Sequence, residues 1–226
     1  MPVEGASAGP PAPYTDGMGD GPHPDRIGHW DGVYSTTPAT AVSWYQAEPT
    51  VSLELLDAVG TTSETGVVDV GGGASVLVDR LLDRGVTDLT VLDIAEPALA
   101  VARARVGADA PVVWQVADVL TWAPARTYDR WHDRAVLHFL SGDEVAAYRA
   151  VLERAVAPDG AVVLATFAPD GPEYCSGLPV TRYDDQGLAA VLGGGFEVVA
   201  RRREVHPTPS GGDQPFIWLA ARRVPI

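Results

Sequence analysis

A doubly wound α/β fold with a mostly parallel sheet of seven strands, closed by an antiparallel C-terminal hairpin, is predicted by three features of this chain. Short apolar runs alternate with helical segments from residue 67 onward. Strands that alternate with helices require a parallel sheet covered on both faces. A length of 226 residues is enough for one such domain with a substantial core plus a tail.

The elements follow in order. Residues 1–25 (MPVEGASAGPPAPYTDGMGDGPHPD) are rich in Pro, Gly and Ala and nearly lack branched aliphatics, so they read as a disordered tail. The domain proper is assigned to residues 26–226, and its segment 27–60 holds Trp30, Tyr34, Trp44 and Tyr45 ahead of the first strand. VVDV (67–70) reads as a strand, and Ser75 to Arg84 as a helix closed by Gly85. LTVLDI (89–94) is a second strand, followed by a helix from Pro97 to Val106 with proline in its first turn.

VVWQVAD (112–118) is the third strand and Tyr128 to Asp133 the fourth. Ser141 and Glu144 have the spacing of a capping box and open a helix that ends before Pro158. AVVLATFA (161–168) is the fifth strand, and Asp184 to Leu192 a short helix ended by three glycines. Segments 196–205 and 216–224 form the final hairpin, with His206 in its loop and facing solvent.

Charge and cysteine content narrow the function. A net charge of −14 disfavours a nucleic-acid partner. All 16 cations are arginine, which removes Schiff-base chemistry and a P-loop lysine. Cys175 is alone, so no intrachain disulfide forms. With no signal peptide and no apolar run of membrane-spanning length, the chain reads as soluble and cytoplasmic.

VVDVGGGAS runs from strand through glycine turn to helix, the arrangement that lets backbone approach a nucleotide-type ligand. The dinucleotide fingerprint needs a third glycine where Val76 stands, which argues against a dehydrogenase. Instead an acid, Asp69, precedes Gly71 and Gly73 by a D-x-G-x-G spacing, and Asp93 closes the second strand.

This pattern resembles the class I S-adenosylmethionine-dependent methyltransferases over nearly all of residues 27–224. The resemblance implies a Rossmann-like methyltransferase fold, S-adenosyl-L-methionine as cofactor and S-adenosyl-L-homocysteine as product. It gives Asp69 the methionine end of the cofactor, with Gly71, Gly72 and Gly73 as the turn it lies against. Asp93 would accept the ribose hydroxyls, Ile94 flank the adenine, and Asp118 bind the adenine amine with the Val119 amide nearby.

YDRWHDRAVLHFL (128–140) aligns without a gap with the family's fourth-strand segment. His132, Asp133 and Arg134 then fall at the carboxyl end of that strand, facing the cofactor or the acceptor rather than the core. His132, Arg134 and His138 are the candidate catalytic groups, Arg134 counting among the cofactor-facing residues as well. An arginine there favours an anionic acceptor, and a histidine within reach could act as base. Alternatively, Arg134 pairs with Asp133 or Asp118, and His138 only packs. The segment D-R-A-V in place of N-P-P-[YF] sets the chain apart from the adenine-N6 and glutamine methyltransferases.

Residues 27–60 would form a cap over the cofactor, with Trp30, Tyr34, Trp44 and Tyr45 either presenting aromatic faces to its sulfonium or buried simply as the core of an amphipathic cap. Similar openings occur in thiopurine, thiol and halide methyltransferases and in some protein-lysine methyltransferases. The leading expectation is a small-molecule acceptor, a thiol, carboxylate or other anionic or polar nucleophile, with no metal, nucleic acid or membrane partner. A protein-lysine methyltransferase is the alternative, and a cofactor-binding protein without catalysis a third. Cys175 either lines the acceptor pocket or is an inert small apolar residue. The sequence leaves the oligomeric state open.

Overall fold

The computed structural model describes residues 26–225, so the tail assigned to residues 1–25 lies outside the described residues. Two helices precede the sheet, α1 (Arg26–Thr36) and α2 (Thr50–Ala58). Then come β1 (Val67–Val70), α3 (Leu77–Asp83), β2 (Leu89–Asp93), α4 (Glu96–Val106), β3 (Val112–Val116) and β4 (Tyr128–Arg134). A 3-10 turn at Leu137–Phe139 leads to α5 (Asp143–Ala155) and β5 (Val156–Phe167). A two-residue pair, β6 (Tyr174–Cys175) with β7 (Leu178–Pro179), precedes α6 (Asp185–Leu192), β8 (Phe196–Pro207) and β9 (Asp213–Arg223).

The main sheet has seven strands in the order β3-β2-β1-β4-β5-β9-β8. Its first five strands are parallel, and β9 runs antiparallel to both β5 and β8. The order reverses direction between β1 and β4, and open α/β sheets place their ligands at such a switch point.

Strand alternation divides the core in two. Val68, Val70, Trp131, Val162 and Leu164 face α5 and α6. Val67, Val91, Val163 and Trp218 face α2, α3 and α4. The same alternation sorts the ionisable run in β4. His132 is the register partner of Asp69 and shares the α2 face with it, whereas Asp133 turns to the opposite side.

Element boundaries depart from expectation where local hydrogen bonds intervene. The helix after the glycine turn begins at Leu77 because Ser75 Oγ accepts its N–H at 3.1 Å. β5 starts earlier, at Val156, beside Tyr128 of β4. Half of the expected capping box is present: Glu144 Oε2 accepts the Ser141 N–H at 3.2 Å. Arg26, the first residue of α1, holds the same carboxylate at 2.9 Å.

His206 is a correction. It lies in β8 and is buried, not solvent-facing, with its Nε2 2.9 Å from the carbonyl of Ser43. The segment between α1 and α2 covers the hairpin there, and sequence spacing does not reveal that covering.

Candidate active site

The glycine turn and the carboxyl ends of β1, β2 and β4 form the floor of two adjoining clefts. The larger has a volume of about 820 Å³ including space open to solvent, the smaller about 560 Å³. Tyr34, Trp44, Val70, Gly71 and Arg134 border both. Asp93, Ile94, Asp118, Val119 and Trp30 stand on the larger cleft, and Asp69, Gly72, Tyr45 and His132 on the smaller.

The turn has no room for side chains. Gly71 has φ +67°, and a Cβ there would collide with Val136. At Gly72 a Cβ would come within 2.5 Å of Asp69 Oδ2 and 2.7 Å of Val91. At Gly73 it would approach Asp93 Oδ2 at 2.8 Å and the Tyr34 hydroxyl at 3.4 Å. Backbone alone therefore lines the path between the two acids.

Asp93 closes β2 with its Oδ1 accepting the Ala95 N–H at 2.9 Å. Burial, with a smaller push from Asp69, raises its carboxyl to about 7. Asp118 closes its own short turn by accepting the Leu120 N–H at 2.9 Å. Tyr34 is also pushed upward, chiefly by burial and then by Asp93, and its hydroxyl receives the Trp44 indole N–H at 3.1 Å.

Arg134 is anchored by a 2.9 Å hydrogen bond from Nη1 to the Trp44 carbonyl and stacks 4.5 Å from the Phe216 ring centroid. Its Nε and Nη2 are buried without a partner among the described residues. It pairs with neither Asp133 nor Asp118. Burial lowers it to about 10, so it remains cationic at neutral pH.

Asp133 belongs to the core, against the expectation that it would face the ligand. It is fully buried, accepts the Val136 and Leu137 N–H groups at 2.8 and 3.2 Å, and receives the Tyr148 hydroxyl. It thereby fixes the sharp exit from β4, where Ala135 adopts φ +77°. His138 lies outside the walls of both clefts, packed between Phe139 and Phe167 at ring-centroid distances of 4.4 and 4.7 Å. Neither ring nitrogen has a partner among the described residues, and burial lowers it to about 3. His132 instead bonds Asp69 and Ser52 at 2.7 and 3.0 Å.

Several wall residues carried no sequence signal. Phe139, Val136 and Arg26 border the larger cleft, and Phe139 meets Trp30 edge-on at 5.1 Å. Cys175, for which the sequence left a place on the acceptor pocket open, borders the same cleft from the short β6–β7 turn, its thiol pushed up by burial to about 12. Ser52 borders the smaller cleft from α2.

Residues 67–160 match a family described as a methyltransferase domain. No curated protein matches the chain. Among solved structures, one concerns the conversion of a disulfide bond into a thioacetal group during echinomycin biosynthesis. It is 20% identical with TM-score 0.72, covering 87% of this chain and 92% of that one. The Burkholderia thailandensis 1,6-didemethyltoxoflavin-N1-methyltransferase is 21% identical with TM-score 0.67, covering 93% of each chain. The N-methyltransferase NodS from Bradyrhizobium japonicum is 18% identical with TM-score 0.62, covering 77% of this chain and 84% of that one.

Proposed function

We propose that the chain is a class I S-adenosylmethionine-dependent methyltransferase, bringing one cofactor and one acceptor together, and that the acceptor is a small molecule with an anionic nucleophile. The observation that carries this reading is Arg134, which borders both clefts and whose buried Nε and Nη2 have no hydrogen-bond partner among the described residues.

The residues present fit the cofactor. Asp93 is a buried carboxylate with acceptor capacity left for ribose hydroxyls, and the glycine turn leaves space in front of it. Leu92, Ile94 and Val119 give the larger cleft an apolar shelf for adenine, and Asp118 stands beside them. Asp69, on the smaller cleft, suits an ammonium. When bound, the cofactor supplies an electrophilic methyl and a neutral thioether leaving group.

The protein's share is then positioning and exclusion of water. Arg134 is held by Trp44 and Phe216, so its fork is pre-oriented for a carboxylate, phenolate or thiolate. Trp30, Trp44 and Phe139 cover the larger cleft with aromatic faces from the cap and the β4 exit. An ammonium acceptor would face this fixed cation unfavourably, which weighs against the protein-lysine reading. The similar toxoflavin-precursor enzyme holds its small-molecule substrate together with S-adenosylhomocysteine.

The test supplies radiolabelled cofactor with panels of small carboxylic acids, phenols and thiols, and separately with lysate protein. Label should enter the small-molecule extract. Arg134→Met should reduce turnover by about 100-fold while S-adenosylhomocysteine affinity stays within about threefold. Label in protein favours the lysine alternative. A large loss of S-adenosylhomocysteine affinity would instead put Arg134 on the cofactor's carboxylate.

A further inference from the structure

Ser52, His132 and Asp69 form a hydrogen-bonded line from α2 through β4 to β1. Ser52 Oγ is 3.0 Å from His132 Nε2, and His132 Nδ1 is 2.7 Å from Asp69 Oδ1. All three are buried, at 1%, 3% and 5% exposure. The parallel register sets Asp69 opposite His132, and α2 brings Ser52 over the same face.

The proton assignment follows from what each group can do. An ionised carboxylate only accepts, so Nδ1 carries the imidazole proton. Nε2 is then a lone pair, and the Ser52 hydroxyl donates to it. The line is fully satisfied with His132 neutral, and Asp69 Oδ1 is occupied. Asp69 Oδ2 remains, lying over Gly72 on the wall of the smaller cleft.

We propose that Ser52 and His132 are a positioning relay. They lock the Asp69 carboxylate so that Oδ2 faces the ammonium of the cofactor's amino-acid end, and thereby set how firmly that end is held. His132 is a positioning residue in this arrangement and takes no proton from the methyl acceptor. An Asp carboxylate turns about a broad sp³–sp² torsion, so tying one oxygen fixes where the other points. This inference rests on the methyltransferase reading of the site.

Two ligands separate the relay's effect from general damage. S-adenosylhomocysteine carries the amino-acid end, and 5′-methylthioadenosine keeps the adenosyl thioether without it. In His132→Leu, affinity for S-adenosylhomocysteine should fall about tenfold or more, with 5′-methylthioadenosine affinity unchanged. Ser52→Ala should show the same selectivity at about threefold, and Ser52→Thr should restore it. Nitrogen-15 spectra of the ligand-free protein should show His132 with its proton on Nδ1.

Equal losses for both ligands, or none, would overturn the relay, as would a proton on Nε2. If His132→Leu does not fold, Ser52→Ala and the tautomer decide. Failure of the wild type to bind either ligand would instead sink the methyltransferase reading itself.

Discussion

Tyr148 of α5 donates its hydroxyl to Asp133 Oδ2 of β4 at 2.6 Å, and the Trp131 indole N–H donates to the same hydroxyl at 2.9 Å. One buried phenol thus satisfies an acid and an indole on alternate β4 residues, two apart and on the same face. Its partner Asp133 also caps the turn that carries Val136 against the glycine loop. Tyr148→Phe strands the indole donor and removes one of the carboxylate's donors. It should destabilise the protein by about 2–3 kcal/mol, read from urea unfolding. S-adenosylhomocysteine affinity of the folded fraction should stay within about threefold, since the backbone donors to Asp133 remain.

The fold and the glycine turn were legible because their signals are local. Alternation of strand and helix, D-x-G-x-G and the acid ending β2 each occupy a few consecutive residues. Asp133 is misleading for a physical reason. The run His132-Asp133-Arg134 marks ionisable residues, but period-2 alternation sends its middle member to the opposite face, where Tyr148 waits. Ser52 and Phe216 were invisible because nothing near them in sequence records that α2 and β9 meet β4. His206 was misread on the same account, its carbonyl partner Ser43 lying far away in the chain.

Gly72→Ala tests the closeness of the turn. A Cβ 2.5 Å from Asp69 Oδ2 and 2.7 Å from Val91 displaces the carboxylate and presses on a core valine. S-adenosylhomocysteine affinity should fall by about tenfold or more, with stability reduced by about 1–3 kcal/mol. Calorimetric titration and urea unfolding read the two separately. Normal affinity would mean that the turn is not in contact with the ligand.

Asp93 should make cofactor binding depend on pH. Burial raises its carboxyl to about 7, so near pH 6 the free protein holds it mostly protonated. The ribose hydroxyls proposed to donate to it would require the ionised form, so binding should release a proton and strengthen as pH rises through 7. Affinity for S-adenosylhomocysteine should increase about tenfold from pH 6 to pH 8. Titrations in buffers of different ionisation enthalpy should register the released proton. Asp93→Asn should bind more weakly and lose the slope; a slope that survives would assign it elsewhere.

His138 gives a stability signature of opposite sign to the buried acids. Its folded value is lowered to about 3 from an ordinary 6.5, so below 6.5 the unfolded chain gains a proton there that the folded protein refuses. Stability is therefore lost at this residue as pH falls. Asp93 and Asp133, raised to about 7 and about 6, behave the other way. Their contribution is fully present below the ordinary carboxylate value and is lost as pH rises through 6 and 7. In the wild type the two trends offset each other between pH 4 and 6.5. His138→Leu removes only the first, so the variant should gain on the wild type by on the order of 1–2 kcal/mol between pH 7.5 and pH 5. Urea midpoints at the two pH values measure the difference. The same variant should keep turnover within about threefold at pH 8, because the ring lies outside both clefts. If it instead abolishes a limb of the pH–rate profile, His138 moves a proton in the reaction, and the packing between Phe139 and Phe167 is not its whole role.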